Sequence, residues 1–249
     1  MNKVYLYDGE FSSLLALIVE LMKLKIVPDD IQVENMYQPN LLEEAVYLEV
    51  KEQKENIYKL RKVLPQKILG RIYYVYLSNE KGKEKIIYSF IKYAIYYQEK
   101  VFYYRRIDCI NEVLMISHRV SNEAHKLKGF LRFQRMKSGY FYAEFSSTNF
   151  VLPILVKHFQ ERLKEEDWII KDEKRNCYAL YYHQKVYYLQ QEDIVKLNLE
   201  TSREEDFVED LWKTFFKTIA IKERENKKCQ QNFMPKKYWK NMLEMENEL

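Results

Sequence analysis

Residues 123–145 read EAHKLKGFLRFQRMKSGYFYAEF, and the way this stretch turns decides how the chain is built. Its first residues end a helix, because Ile110, Val113, Leu114, Val120, Ala124 and Leu127 recur at close to a 3.6-residue period. Glycine most readily takes the left-handed C-cap, so that helix is expected to stop at Gly129. FLRFQRM and YFYAEF then flank KSG as two strands of a hairpin. A two-residue loop would set Arg132 against alanine and phenylalanine. A three-residue loop, Lys137-Ser138-Gly139, gives Gly139 the positive-φ position and puts Phe133 opposite Ala143 and Leu131 opposite Phe145. The same register sets Arg132 opposite Glu144 and Gln134 opposite Tyr142. The hairpin is therefore expected to have an apolar inner face and an outer face of Phe130, Arg132, Gln134, Tyr142 and Glu144.

Outward from the hairpin, KVYLY near the start alternates and meets Asp8-Gly9, and an apolar-rich run follows from Phe11 to about Leu24. This predicts a β-α opening. Residues 52–98 read as helix interrupted near Pro65 and Gly82, with Ile86, Phe90, Tyr93 and Tyr97 on a buried face. A helix from about Asn149 buries Leu152, Leu155, Val156, Phe159 and Leu163 and leaves His158 and Arg162 together at i, i+4 on a flanking face. DWIIKD, CYALYY and KVYYL supply further strands, expected antiparallel to the hairpin, and SREE at 202–205 opens an amphipathic helix through Ile219. The expected class is α+β, an antiparallel β-meander packed with several helices. Five glycines and five prolines leave few places for a linker, so one domain, 1–249, is expected, with a basic C-terminal extension from about residue 222.

Composition bounds the function. Hydrophobic residues make up 47% of the 249, enough for a sizeable core. No run approaches the roughly 18 apolar residues of a membrane span, and MNKVYLYDGEF lacks the pattern of a signal peptide. A cytoplasmic protein with no membrane partner is expected. Cys109, Cys177 and Cys229 show no C-x-x-C spacing, and His118, His125, His158 and His183 show no H-E-x-x-H. Neither a protein metal site nor a cofactor is expected, although carboxylates could hold magnesium.

The net charge of +4 says less than its distribution. Residues 190–212 carry eight acids against two bases, residues 213–240 nine bases against two acids, and residues 118–137 six bases against Glu123 alone. Basic patches of this kind are the footprint of a phosphate-backbone binder, because each neutralised phosphate releases counterions. The alternative is a solvated lysine face. With 22 tyrosines in the chain, aromatics beside lysines carry little weight as a sign of base stacking.

Lys128-Gly129-Phe130-Leu131-Arg132-Phe133 approaches the RNA-recognition-motif signature but has Leu131 where a small residue belongs and Arg132 where an aromatic belongs, which rejects that fold. Glu123 and His125, at i, i+2 on a helix, do not face each other, and Glu123 is as easily the i+4 partner of Arg119. No G-x-S-x-G, P-loop or G-x-G-x-x-G is present. In IKERENKKCQQNFMPKKYWK, Pro235 ends any helix, and KKYWK either docks back onto the domain or lies along a phosphate backbone.

Taken in order, YDGEF, EAHKLKGFLRF, YAEF with VLPILVKHFQERL, DWIIKD, and LWKTFFKTIAIKERENKKCQQNFMPKKYWK resemble a bacterial family of DNA-metabolism proteins encoded beside a radical SAM protein. The same domain occurs in that family fused to a uracil-DNA glycosylase. The resemblance implies a role in DNA repair or modification with a radical SAM partner. The chain lacks the C-x-x-x-C-x-x-C cluster motif, so it would be the partner and not the radical generator. Glycosylase activity is not carried over, since the cysteine set of the iron–sulfur glycosylases is missing too.

Three readings follow. In the first, a DNA-binding accessory protein touches phosphates through Lys128, Arg132, Arg135, Arg224 and the segment containing Lys236, Lys237, Tyr238 and Trp239. In the second, a nucleic-acid-processing enzyme acts on a nucleobase or phosphodiester, with His125, His158 and Glu223 as acid–base groups and Arg132, Arg162 and Arg224 holding phosphate. In the third, a structural subunit docks a protein partner through its helix and tail.

Overall fold

The apolar run Val4 to Tyr7, buried on both faces where the sequence suggests alternation, and the break at Gly9, where φ is +92°, produce the first strand and turn of the fold. The computed structural model of the chain describes residues 2–50, 53–137, 139–190, 227–242 and 245. These divide into two compact units, Met1–Ser121 and Asn122–Leu249. The scarcity of linker residues predicts one domain, but the division needs no linker: it falls inside a single helix, Asp108–Phe130.

In the first unit, strand β1 (Asn2–Tyr7), helix α1 (Phe11–Lys23), strand β2 (Asp30–Val33) and strand β3 (Glu43–Tyr47) form a three-stranded parallel sheet in the order β2-β1-β3. The expected β-α opening is present. Helices α2 (Gln53–Val63), α3 (Gln66–Tyr76) and α4 (Lys83–Tyr97) follow, broken at Pro65 and at Gly82, whose φ is +69°. Their core includes Leu14, Ile18, Ile68, Ile72, Phe90 and Ile91. The buried face of α4 differs from expectation. Ile87, Phe90, Ile91 and Ala94 are inside, whereas Tyr93 is 38% exposed and Tyr97 half-buried. Counting tyrosine as apolar rotated the expected stripe, because a phenol ring leaves its hydroxyl in water without penalty.

Helix α5 (Asp108–Phe130) runs one residue past Gly129, which keeps ordinary helical backbone and is no left-handed cap. The hairpin after it has the expected loop: Gly139 has φ +88°, its N–H donates to the Met136 carbonyl, and Gln134 pairs with Tyr142. Its first strand, β4, is only Gln134–Arg135, so the paired ladder stops short of Phe133 and Leu131. Phe133 packs edge-on against Phe159 instead, at 5.0 Å between ring centroids.

Strands β5 (Phe141–Phe145), β6 (Trp168–Asp172), β7 (Cys177–Tyr182) and β8 (Lys185–Gln190) complete a five-stranded sheet in sequential order. The expected all-antiparallel meander is corrected here. β5 and β6 are parallel, because helix α6 (Leu152–Arg162) lies between them and returns the chain to the same end of the sheet. The sheet is therefore mixed, and the fold mixes helices with one parallel and one mixed sheet. After the described part resumes, helix α7 (Lys227–Phe233) and a 3-10 turn (Lys236–Asn241) follow. The helix expected at 202–219 lies outside the described residues. Among the described residues no helix is long and apolar enough to cross a membrane.

Candidate nucleic-acid interface

The second unit is tied together at Glu123, on the last turns of α5. Its carboxylate is buried and accepts the backbone N–H groups of Thr148 and Asn149 at 2.9 Å each, the Asn149 side-chain amide at 2.6 Å, and the Lys237 ammonium at 2.9 Å. The Tyr238 hydroxyl lies 3.4 Å away. Burial alone would favour the neutral acid, but the Thr148, Lys237 and Asn149 donors outweigh it and hold the Glu123 pKa below its usual value. Arg119, the partner expected for Glu123 on helical spacing, bonds Glu80 at 2.6 Å.

This anchor fixes the KKYWK segment. Tyr238 and Trp239 are buried, the phenol against Phe130 at 5.5 Å and the indole N–H donating to the Met234 carbonyl at 2.8 Å. Neither ring offers a face for stacking on a base. Lys237 spends its charge on Glu123 and lies 4.6 Å over the Tyr238 ring. Lys236 is exposed, resting 5.5 Å above Trp239, and Lys240 pairs with Glu173 at 2.7 Å. The tail thus docks back onto its own unit, one of the two outcomes left open by its sequence.

Two other cations act on His158. His158 is half-buried on α6 and packs against Phe159. Burial and the positive charges of Lys128, from α5, and Arg162, one turn along α6, all lower its pKa, with Glu161 opposing. These effects favour the neutral imidazole, and Lys128 and Arg162 contribute positive potential to it from two elements. His125 is exposed one helical turn before Lys128 and is not among the groups that act on His158. Arg135 is exposed on the short strand β4. Glu223 and Arg224 lie outside the described residues.

Arg132 belongs elsewhere. Its guanidinium donates to the Gly129 carbonyl at 2.8 Å and lines a cleft of about 170 Å³ with Gln134, Tyr142, Glu144, Lys240 and Asn241. Glu144 accepts the Tyr142 hydroxyl at 3.1 Å, with Lys171 3.9 Å from it, and burial with the Glu144 charge pushes the Tyr142 pKa far up. Sequence reasoning placed Arg132, Gln134, Tyr142 and Glu144 on one outer face but singled out only Arg132 for a site. The hairpin register was the signal that could have added Tyr142 and Glu144. Lys240 and Asn241 reach the cleft by the docking of the tail, which no local pattern encodes.

Among the described residues no group of three or more histidines, cysteines or acids is placed to hold a metal ion. Fold and surface together define a mixed α/β protein of two units, with cationic side chains on the helices of the second. The chain belongs to the family described as a domain of unknown function, DUF4130, whose model matches residues 81–244. That match starts just before α4 and covers the anchor, the cationic site and the docked tail. No curated protein and no solved structure matches the chain.

Proposed function

We propose that this protein is a DNA repair or modification accessory protein that grips the phosphate backbone and works with a radical SAM partner enzyme. The observation that carries the DNA reading is a cationic site on the second unit: Arg162 follows His158 at i, i+4 on α6, and the charge of Lys128, from α5, also acts on that half-buried imidazole. Cations supplied from two elements suit contact with a phosphate backbone, and Arg135 and Lys236 add exposed charge on the same unit. Of the residues expected to touch DNA, Lys128, Arg162, Arg135 and Lys236 keep that role. Tyr238 and Trp239 serve to pack the tail, Lys237 neutralises Glu123, and Arg132 faces the cleft. The radical SAM partner rests on the resemblance carried by EAHKLKGFLRF and the C-terminal motif.

Duplex DNA binding measured by anisotropy across a salt series tests this reading. Wild type is expected to bind with a steep salt dependence, and K128A/R162A to weaken binding about tenfold or more at low salt. No binding even at low ionic strength would overturn it. Co-purification with the neighbouring radical SAM protein, with and without DNA, tests the partner.

One observation favours the enzymatic alternative. The His158 imidazole, its pKa lowered by burial and by the charges of Lys128 and Arg162, suits a general base acting on a nucleic acid. In that case H158Q abolishes turnover of a nucleic-acid substrate while leaving its affinity unchanged.

A further inference from the structure

In the first unit Tyr5, Tyr7 and Tyr88 are each below 7% exposed, whereas Tyr47 and Tyr58 are singly exposed at 66% and 63%. The segment from Tyr93 to Arg106 gathers exposed rings together. Tyr96 is 80% exposed, Tyr103 85% and Tyr104 42%. Four rings of the segment, Tyr93, Tyr96, Tyr97 and Tyr104, pack on one another. Tyr93 and Tyr97 stack with centroids 6.5 Å apart and planes within 10°, Tyr104 lies 4.3 Å from Tyr97, and Tyr96 meets Tyr97 edge-on at 4.8 Å. The 3-10 segment Gln98–Tyr103 folds the chain back so that rings from α4 and from the turn after it form one aromatic face.

Arg105 and Arg106 follow directly and are exposed, with no ion-pair partner among the described residues. Beside Tyr93 a groove of about 560 Å³ opens, lined by Lys92, Tyr88 and Ile107. Residues 92–108 hold four cations against Glu99 and Asp108. A rigid aromatic face edged by guanidinium groups is the arrangement that takes unpaired bases on the rings and their phosphates on the cations. Duplex DNA does not suit it, since paired bases keep their π faces inside the stack.

We propose that this face of the first unit binds single-stranded DNA, with bases stacking on Tyr96, Tyr103 and Tyr104 and phosphates held by Arg105 and Arg106. The choice of DNA over RNA rests on the function proposed above; the stacking surface itself is separate from Lys128 and Arg162. It gives an accessory protein of repair a grip on a strand opened beside a duplex.

The test uses the full chain and labelled oligo-dT, oligo-rU and duplex DNA in anisotropy titrations. Y96A/Y103A, at exposed positions, is expected to weaken oligo-dT binding by roughly tenfold or more. Y96F/Y103F keeps the rings and should bind within about twofold of wild type, with duplex affinity unchanged in both. Photocrosslinking of bromodeoxyuridine-substituted oligo-dT, mapped by mass spectrometry, should mark Tyr96, Tyr103 or Tyr104. Wild-type oligo-dT affinity in Y96A/Y103A, or tighter binding to oligo-rU, would overturn the inference. Duplex binding without any oligo-dT binding sinks this inference and leaves the earlier one standing; loss of duplex binding in K128A/R162A alone speaks to the earlier one.

Discussion

Glu123 shows how much a single residue can carry. Its partners lie 25, 26, 114 and 115 positions away, so nothing in its own neighbourhood reveals them. Helical spacing pointed to Arg119 because only local pairs can be read from a local pattern. Removing the carboxylate leaves two backbone N–H groups without their acceptor, and Glu123→Ala should lower stability by about 3 kcal/mol in denaturant titration. The pH dependence has a definite sign. The folded pKa is below the unfolded one, so this stabilisation is complete above the ordinary glutamate range and is lost as pH falls through the lowered folded value. Asp172 works the other way. Burial raises its pKa despite its 3.0 Å pair with Arg175, so protonation there favours the fold as pH falls. Glu123→Gln should therefore flatten the acid limb of the stability curve, and a limb as steep as wild type would show that Glu123 is not its source.

Among the elements, those with a local cause were legible and those with a distant one were not. The hairpin loop was readable because Gly139 is the one residue there that takes a positive φ freely, and because period-two alternation fixes the register once the loop length is chosen. The breaks at Pro65 and Gly82 were readable for the same kind of reason. The parallel pairing of β5 with β6 was missed, although the 11-residue helix between them is the signal that demands it. Docking of the tail was undecidable from KKYWK, since a basic run with two aromatics fits either a nucleic acid or a core. Burial decides it: Trp239 is 2% exposed and closes over Met242, Met245 and Phe130. Trp239→Ala should destabilise the protein by about 3–5 kcal/mol, whereas Lys236→Ala removes only an exposed cation–π contact and should stay within about 1 kcal/mol. Equal effects of the two in chemical denaturation would contradict the docked tail.

For the whole molecule, net charge was the least informative number and charge placement the most. A balance of +4 gives no expectation of polyanion binding, yet the two proposed surfaces draw on Arg105 and Arg106 in the first unit and on Lys128 and Arg162 in the second. The division into units was invisible in sequence because a continuous helix, and no glycine- or proline-rich linker, crosses it. The eight acids of the run at 190–212 fall outside the described residues. Two separate cationic surfaces, one proposed for duplex and one for single strand, give a prediction that neither makes alone. Each phosphate contact contributes about 0.9 to the logarithmic salt slope on duplex and about 0.7 on a single strand. On duplex DNA, K128A/R162A should make the slope shallower by about 2 and R105A/R106A should leave it unchanged. On oligo-dT, R105A/R106A should remove about 1.4 and K128A/R162A little. If both double variants flatten both slopes equally, the cations act as one diffuse field, and the division of labour between the surfaces is wrong.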